Sequence, residues 1–190
     1  AMVASAPEAA MAVVMDIETG AILAMASRPG GNPNDNVDRA DQMLFKNRPA
    51  MDQIEPGSVM KPFVVAAALE EGLVTPNQIF DCELGSWSVG GRTIRDDHPK
   101  GAITVSDIIK YSSNIGTAKI GLMLGPVKLL EYLKDFGFSR STGLGLPGEV
   151  PGSMRSAATI RTIELATTSF GQGVTGSPVQ LAAAAATIAN

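Results

Sequence analysis

Ser58 and Lys61 form an S-x-x-K motif directly after Pro56-Gly57, a pair that breaks regular structure. On a helix that begins here, residues three apart lie on one face, so the lysine amine can reach the serine hydroxyl. A serine hydroxyl is a poor nucleophile until a base removes its proton. Neutral lysine is such a base when burial or nearby charge lowers its pKa from about 10.4. The spacing therefore predicts an activated serine at a helix N-terminus, where backbone N–H groups can stabilise an oxyanion.

Residues 112–114 (SSN) form a second motif, S-x-N, between two predicted helices. The Ser112 hydroxyl can relay a proton to a leaving group, and the Asn114 amide can hold a substrate carbonyl. Each motif alone has a simpler interpretation, either a helix start with a solvated Lys61 or a Ser/Asn turn that ends a helix. The two motifs together are more specific, because S-x-x-K combined with a second serine motif indicates serine acyl transfer.

The composition excludes several other chemistries. The net charge is −4 and the 15 Lys and Arg residues are scattered, so the chain has no surface that neutralises many phosphates, and no nucleic-acid partner is expected. The single Cys82 and single His98 exclude an internal disulfide and the common multi-residue metal motifs, and no metal or organic cofactor is predicted. Residues 96–98 (DDH) offer a Ser–His–Asp triad as an alternative, but a loop interpretation of His98 is favoured because Lys61 already supplies a base for Ser58.

The residues around these motifs predict a hairpin followed by a helical region. Two apolar segments at 11–17 and 21–27 flank a Glu-Thr-Gly turn, and their weak polar alternation predicts strands covered on both faces. Gly72 is predicted to end the helix that carries Ser58, and residues 80–99 are predicted to be an irregular or β-like excursion. Further helices are predicted over residues 104–111, 116–124, 126–136 and 159–170, and from residue 177 onward. The helix at 104–111 is predicted to be capped at Thr104, and the last helix is predicted to begin with a capping box formed by Ser177 and Gln180.

Four segments together resemble one known family. Residues 55–63 (EPGSVMKPF) and the strand pair at 13–26 look like the active-serine segment and the hairpin of class B penicillin-binding proteins. Residues 111–116 (YSSNIG) match the second motif of that family, and residues 170–182 match its later helix entry. The resemblance covers nearly the whole chain. It is closest to the monofunctional transpeptidases of cell division and spore formation.

The resemblance implies an α/β architecture, part of the penicillin-recognising fold of serine β-lactamase-like transpeptidases, with an N-terminal β-hairpin and a helical lobe. It implies a linker over residues 1–10 and a partial transpeptidase domain over residues 11–190. The third motif of the family, K-T-G or K-S-G, does not occur in the sequence. We therefore expect the chain to hold the first two-thirds of the domain and to be weakly active alone. We also expect one hairpin edge to pair with a further segment, to dimerise or to lower stability.

For function, the resemblance implies a peptidoglycan D,D-transpeptidase that needs no cofactor or metal. Ser58 would attack the penultimate D-Ala carbonyl of a stem peptide, and Lys61 would take the Ser58 proton. Ser112 would pass a proton to the departing D-Ala, and Asn114 would hold the substrate amide. β-Lactams would acylate Ser58 as substrate mimics. The implied partners are lipid-linked precursor or nascent glycan, together with membrane proteins of division or sporulation. The implied location is the bacterial cell envelope, at the periplasmic face of the inner membrane, with an anchor upstream of this chain.

Three alternatives share part of this chemistry. A serine β-lactamase uses the same serine and lysine but deacylates rapidly, and the sequence shows no additional Glu in an E-x-x-L-N context. A β-lactam-sensing domain would acylate without turnover. A non-catalytic scaffold or interaction module would not acylate at all. The rate of deacylation and the presence of acylation distinguish these alternatives.

Overall fold

The computed structural model describes residues 7–32, 34 and 43–190, which form an N-terminal hairpin and a helical lobe. The strands are β1 (Ala10–Met15), β2 (Ile22–Arg28), β3 (Ile79–Asp81), β4 (Ser86–Val89), β5 (Arg92–Arg95) and β6 (Ala102–Thr104). The helices are α1 (Arg48–Met51), α2 (Lys61–Glu70), α3 (Val105–Lys110), α4 (Asn114–Asp135), α5 (Thr162–Thr168) and α6 (Pro178–Ala189). The predicted α/β arrangement of a hairpin and a helical lobe is confirmed.

The hairpin pairs β1 with β2 in antiparallel register. The Asp16 carboxylate closes its turn by accepting hydrogen bonds from the N–H and the hydroxyl of Thr19, at 2.8 and 2.6 Å. Because β1 begins at Ala10, the hairpin starts one residue earlier than predicted. Residues 1–6 of the predicted linker lie outside the described residues.

One face of the hairpin is partly buried, with β1 packed against α6, and the other face is exposed. Small and apolar residues form the exposed face, namely Ala12, Val14, Ala24 and Ala26. Val14 is 51% exposed. The expectation that both faces are covered is therefore wrong for the described part of the chain. The expectation failed because this face is rich in alanine, and an alanine side chain is too small to distinguish a buried face from an exposed one in the sequence.

The helical lobe has a continuous apolar core in which α2 packs against α4 and α4 packs against α5. The Phe63 ring of α2 lies 5.2 Å from the ring of Phe136 and 5.6 Å from that of Phe138, centre to centre. Such tilted and edge-on aromatic pairs stabilise a core by about 0.5–1.5 kcal/mol beyond area burial. None of the helices in the described ranges is both long enough and apolar enough to cross a membrane.

Helix α4 consists of two pieces that meet at Gly125, whose φ of 75° lies in the left-handed region. Pro126 follows, and it has no backbone N–H to continue the helical hydrogen bonds. Glycine permits the left-handed turn and proline begins the next helical piece. The prediction of separate helices on either side of this dipeptide is confirmed.

The excursion at 80–99 and the residues just after it form two short strand pairs. β3 pairs with β6, and β4 pairs with β5 across Gly90 and Gly91, which both have positive φ. A two-residue hairpin loop with positive φ at both positions matches the twist of the flanking strands. The Thr104 side chain then caps α3 by accepting the N–H of Asp107 at 3.1 Å. The segment from β3 to β6 therefore leads directly into α3.

The N-terminus of α6 carries the predicted capping box. Ser177 accepts the N–H of Gln180 at 3.2 Å, and the Gln180 side chain accepts the N–H of Ser177 at 2.8 Å. The buried Gln180 amide also donates to the carbonyls of Gly137, Arg140 and Pro151, at 3.1, 2.6 and 2.8 Å. One glutamine therefore joins the start of α6 to the irregular loop that precedes α5.

Candidate active site

Ser58 lies in a 3₁₀ turn, Gly57–Met60, that runs directly into α2. The Ser58 side chain is exposed, whereas the side chains of Met60 and Lys61, a little later in the chain, are buried. Within the described ranges, no residue forms a hydrogen bond with the Ser58 hydroxyl. The predicted helix start is confirmed with a tighter first turn, and the candidate nucleophile faces solvent.

The chain before Ser58 lies along a glycine-rich segment from late in the sequence. Ile54 and Gly176 exchange two main-chain hydrogen bonds, at 2.9 and 3.0 Å. The Glu55 carboxylate accepts the N–H of Gly173 at 2.7 Å. These contacts make the later segment the support of the nucleophile turn.

Gly57 and Gly171 form the closest contact in this support. The Gly57 N–H donates to the Gly171 carbonyl at 3.1 Å. Gly171 has a φ of 86°, and a Cβ added to it would lie 2.1 Å from the Gly57 carbonyl oxygen. Main-chain atoms cannot swing aside as a flexible side chain does, so only glycine fits at position 171 without moving the turn that carries Ser58.

Lys61 is buried, with 2% of its surface exposed. Its Nζ donates to Ser112 twice, to the Oγ at 2.8 Å and to the main-chain carbonyl at 2.5 Å. Desolvation lowers the pKa of Lys61 to about 8, and the charges of Asp96 and Asp97 partly oppose that shift. At pH 7 only about one-tenth of Lys61 is then neutral, far more than for an ordinary lysine.

The hydrogen bonds of Lys61 determine where a proton can be accepted. A neutral amine has two N–H groups and one lone pair, and Ser112 supplies an acceptor for each N–H. The lone pair is then left to take a proton from another group. On the same helical turn, Ser58 presents the hydroxyl that needs a base. The predicted pairing of a serine nucleophile with a lysine base requires this arrangement of Lys61.

Ser112 lies between α3 and α4, and Asn114 lies at the start of α4, so the S-x-N motif falls at the junction of two helices as predicted. Ser112 has a φ of 56°, an uncommon conformation for a residue with a side chain. Asn114 is the first residue of α4, and its Nδ2 donates to the Arg95 carbonyl at 2.8 Å. The structure thus brings Ser112 into contact with Lys61 and fixes Asn114 at the end of β5. The catalytic and substrate-binding roles of Ser58, Lys61, Ser112 and Asn114 stay predictions.

The sequence analysis named Asp96 only within the triad alternative and missed the role that the structure gives it. Its buried carboxylate accepts the Ser113 hydroxyl at 2.6 Å through Oδ2, and the N–H groups of Asn114 and Ile115 at 2.6 and 3.0 Å through Oδ1. A carboxylate at a helix N-terminus is favourable because it meets unpaired N–H groups and the positive end of the helix dipole. Asp96 therefore anchors the S-x-N turn.

One signal in the sequence hinted at such an anchor. The first turn of α4 contains no acidic residue of its own, although Ser113 is a typical N-cap residue. A distant acid can therefore stabilise the helix end, but the sequence does not say which one. The triad alternative offered Asp96 or Asp97 beside His98, and the structure commits both Asp96 oxygens to the start of α4. In the part of the chain that the structure describes, no three His, Cys, Asp or Glu side chains converge as metal ligands.

Comparison with known proteins agrees with this geometry. The family model described as the penicillin binding protein transpeptidase domain matches residues 10–190. The chain is 38% identical over 177 residues to a protein of Neisseria flavescens named probable peptidoglycan D,D-transpeptidase PenA, a match that covers 93% of this chain and 44% of that protein. It is 36% identical over 194 residues to stage V sporulation protein D of Bacillus subtilis (strain 168), which covers 97% of this chain and 29% of that protein.

Solved structures give the same result. The transpeptidase domain of Burkholderia pseudomallei penicillin-binding protein 3 in its apo form superposes with a TM-score of 0.88 at 34% identity, and the match covers 99% of this chain and 52% of that one. The chain spans less than half the length of the curated relatives described above. The predicted resemblance to class B penicillin-binding proteins is confirmed. The chain belongs to the penicillin-binding-protein transpeptidase domain family.

Proposed function

We propose that this chain carries the acylation site of a peptidoglycan D,D-transpeptidase that cross-links stem peptides through an acyl-serine intermediate. The observation that carries the proposal is the buried Lys61, whose Nζ is held by Ser112 one turn from the exposed Ser58. Relatives named as peptidoglycan D,D-transpeptidases support it.

The first half-reaction uses Ser58 as the nucleophile. Its Oγ forms a bond to the carbonyl carbon of the penultimate D-Ala, and its proton passes to the lone pair of Lys61. The oxyanion that develops lies at the Gly57–Met60 turn, where the Ser58 N–H has no main-chain partner among the described residues. The amide C–N bond then breaks.

Ser112 and Asn114 complete the acylation step. Ser112 Oγ accepts a hydrogen bond from Lys61, so the proton that Lys61 has taken can pass through Ser112 to the nitrogen of the departing D-Ala. Asn114 already donates to Arg95, and its amide oxygen can accept a substrate N–H. An amine from a neighbouring stem peptide then attacks the acyl-serine, which forms the cross-link and frees Ser58.

The wider setting follows from the same proposal. The substrate is the stem peptide of lipid-linked precursor or nascent glycan, and β-lactams react with Ser58 in its place. The protein works in the cell envelope on the periplasmic side of the inner membrane, anchored by an upstream segment and assisted by membrane proteins of division or sporulation. The similarity to a sporulation protein supports the last of these roles.

Labelling with a fluorescent penicillin tests the proposal directly. We expect covalent label on the peptide that contains Ser58, identified by mass spectrometry, and loss of the label in Ser58→Ala. Ser86→Ala, which changes an exposed serine in β4, is the matched control and should label like the unsubstituted chain. Equal labelling of Ser58→Ala would refute the role of Ser58, and no labelling at all would favour a scaffold.

The lifetime of the label separates the enzymatic alternatives. A transpeptidase or a sensing domain keeps the acyl-serine when no acceptor amine is present, whereas a β-lactamase hydrolyses it quickly. Transfer of the acyl group to an added amine acceptor distinguishes the transpeptidase from the sensing domain. A rapidly vanishing label would therefore replace the proposed function by that of a β-lactamase.

A further inference from the structure

Glu55 and Gly57 make hydrogen bonds in opposite directions with one later segment of the chain. The Glu55 carboxylate accepts the N–H of Gly173 at 2.7 Å, and the Gly57 N–H donates to the carbonyl of Gly171 at 3.1 Å. Of these two bonds, only the one at Glu55 is made by a side chain. A substitution at Glu55 can therefore remove one bond while the main-chain groups of both segments stay in place.

The position of Glu55 in the chain connects its hydrogen bond to the nucleophile. On one side, Ile54 exchanges two main-chain hydrogen bonds with Gly176, which fix the chain up to that point. On the other side, the buried Pro56 has a φ of −66°, the value at which its ring locks the backbone. Because Pro56 cannot rotate freely about this bond, a movement of Glu55 is passed on to the turn that carries Ser58.

The contact at Glu55 acts as a hydrogen bond and not as a charge beside the base. The charges that raise the pKa of Lys61 against the effect of burial are those of Asp96 and Asp97, and Glu55 is not among them. Within the described ranges, Glu55 has no ion-pair partner. A neutral side chain of the same length with an acceptor oxygen should therefore hold Gly173 in nearly the same way.

We propose that Glu55 is a positioning residue for the acylation of Ser58, because its side chain holds the segment at 171–173 against the turn that carries the nucleophile. The inference rests on the proposed function. It assigns no proton transfer and no substrate contact to Glu55. It assigns the effect to the hydrogen bond with Gly173, so the consequences of losing that bond are those of a slightly misplaced nucleophile.

Acylation of the whole chain by a fluorescent penicillin tests this inference. Glu55→Ala removes the acceptor, and we expect the rate constant at saturating penicillin to fall about threefold to tenfold. The half-saturating concentration and the pH midpoint of acylation should not change, because neither a substrate contact nor the environment of Lys61 is altered. Glu55→Gln keeps an acceptor oxygen and should restore the rate constant to within about twofold of the unsubstituted chain.

Gln53→Ala is the matched control. The Thr175 hydroxyl donates to the Gln53 side chain at 3.0 Å, so this variant also removes one exposed side-chain hydrogen bond between the same two parts of the chain. The main-chain bonds between Ile54 and Gly176 lie between this contact and Ser58. We therefore expect the rate constant of Gln53→Ala to stay within about twofold of the unsubstituted value. A loss as large as that of Glu55→Ala would show that any bond between the two segments has this effect, and would overturn the inference.

Amide hydrogen exchange followed by NMR tests the same contact without any acylation. The N–H groups of Gly57 and Gly173 should exchange about threefold to tenfold faster in Glu55→Ala than in the unsubstituted chain. They should exchange at nearly the unsubstituted rate in Glu55→Gln and Gln53→Ala. Unchanged exchange at Gly57 in Glu55→Ala would mean that Glu55 does not hold the nucleophile turn, and would overturn the inference.

The remaining outcomes assign Glu55 a different role. A shifted pH midpoint in Glu55→Ala, or equally slow acylation in Glu55→Gln, would show that Glu55 acts through its charge. Normal acylation by penicillin with slower transfer to an amine acceptor would place Glu55 against the acceptor peptide. Each of these results would overturn the inference. Absence of penicillin label on Ser58 in the unsubstituted chain would instead refute the proposed function, and the exchange measurement would still decide whether Glu55 holds the turn.

Discussion

The Gly57–Met60 turn and the turn at 112–114 both present a serine to the site, but different forces hold them. Main-chain contacts with a glycine-rich segment hold the first, and the closest of them leaves no room for a Cβ at Gly171. A buried carboxylate holds the second, because Asp96 accepts three hydrogen bonds at the start of α4. We therefore expect added side-chain volume at Gly171 to disturb the nucleophile turn. We expect the S-x-N turn to be disturbed by loss of the Asp96 charge or of a hydrogen-bond donor to Asp96.

This difference has a functional reason. Under the proposed function, Ser58 must be placed to a fraction of an ångström, and rigid main-chain packing gives that placement. The S-x-N turn lies against Lys61, whose pKa the Asp96 charge raises against the effect of burial. Asp96 thus fixes the geometry of one turn and increases the basicity of the neighbouring Lys61.

The largest expected effect comes from adding a methyl group at Gly171. Gly171→Ala would place a Cβ 2.1 Å from the Gly57 carbonyl oxygen, so the nucleophile turn must shift. A misplacement of about 1 Å can cost about 10²-fold in rate, and we expect a loss of that order in acylation by a fluorescent penicillin.

Gly173→Ala is its matched control. Gly173 also has positive φ, but nothing lies within 4 Å of an added Cβ. Both variants place alanine at a positive φ, which strains the backbone. Only Gly171→Ala also brings the new Cβ into a clash with Gly57. Similar acylation rates in the two variants would show that packing at position 171 does not place Ser58.

The next effect concerns charge at the S-x-N turn. Asp96→Asn keeps the shape but removes the charge from a carboxylate that accepts three hydrogen bonds. Because hydrogen bonds to charged groups contribute about 1.5–3 kcal/mol each, we expect the free energy of unfolding in urea to fall by about 2–3 kcal/mol. The exposed Asp97→Asn should change it by less than about 0.5 kcal/mol. Equal losses would mean that Asp96 acts only through long-range charge.

The smallest expected effect separates helix capping from site geometry. Ser113 and Ser177 are both buried N-cap serines, which accept the N–H groups of Gly116 and Gln180 at 2.9 and 3.2 Å. Replacing either by alanine should lower the free energy of unfolding by about 1 kcal/mol. Only Ser113→Ala removes a donor from Asp96, so only it should also slow acylation. Slower acylation in Ser177→Ala to the same degree would attribute the effect to stability alone.

Local patterns in the sequence predicted much of the fold. The hairpin, the capping box at Ser177, the helix break at Gly125-Pro126 and the cap at Thr104 each depend on neighbouring residues, and each is present. The exposed hairpin face was not predicted because its alternation is hidden by alanines. Local signals are sufficient where the physical cause lies within a few residues.

The candidate site was predictable in its motif residues and not in their supports. S-x-x-K and S-x-N identified the residues that meet at Lys61 and Ser112. The partners Asp96 and Gly171 lie in distant segments, and their contacts depend on how the chain folds back. The residues next to Asp96 and Gly171 in the sequence form no pattern that predicts these distant contacts.

The pH dependence of Ser58 acylation tests the central claim most directly, because that claim makes neutral Lys61 the base. Protonated Lys61 has no lone pair, and its pKa is lowered to about 8. The rate of acylation by a fluorescent penicillin, measured from about pH 6 to about pH 10, should therefore rise with pH, with a midpoint near that value, and then level off. Asp97→Asn removes a charge that raises this pKa, so it should move the midpoint to lower pH. A rate that does not change across this range, or that falls as pH rises, would contradict the account.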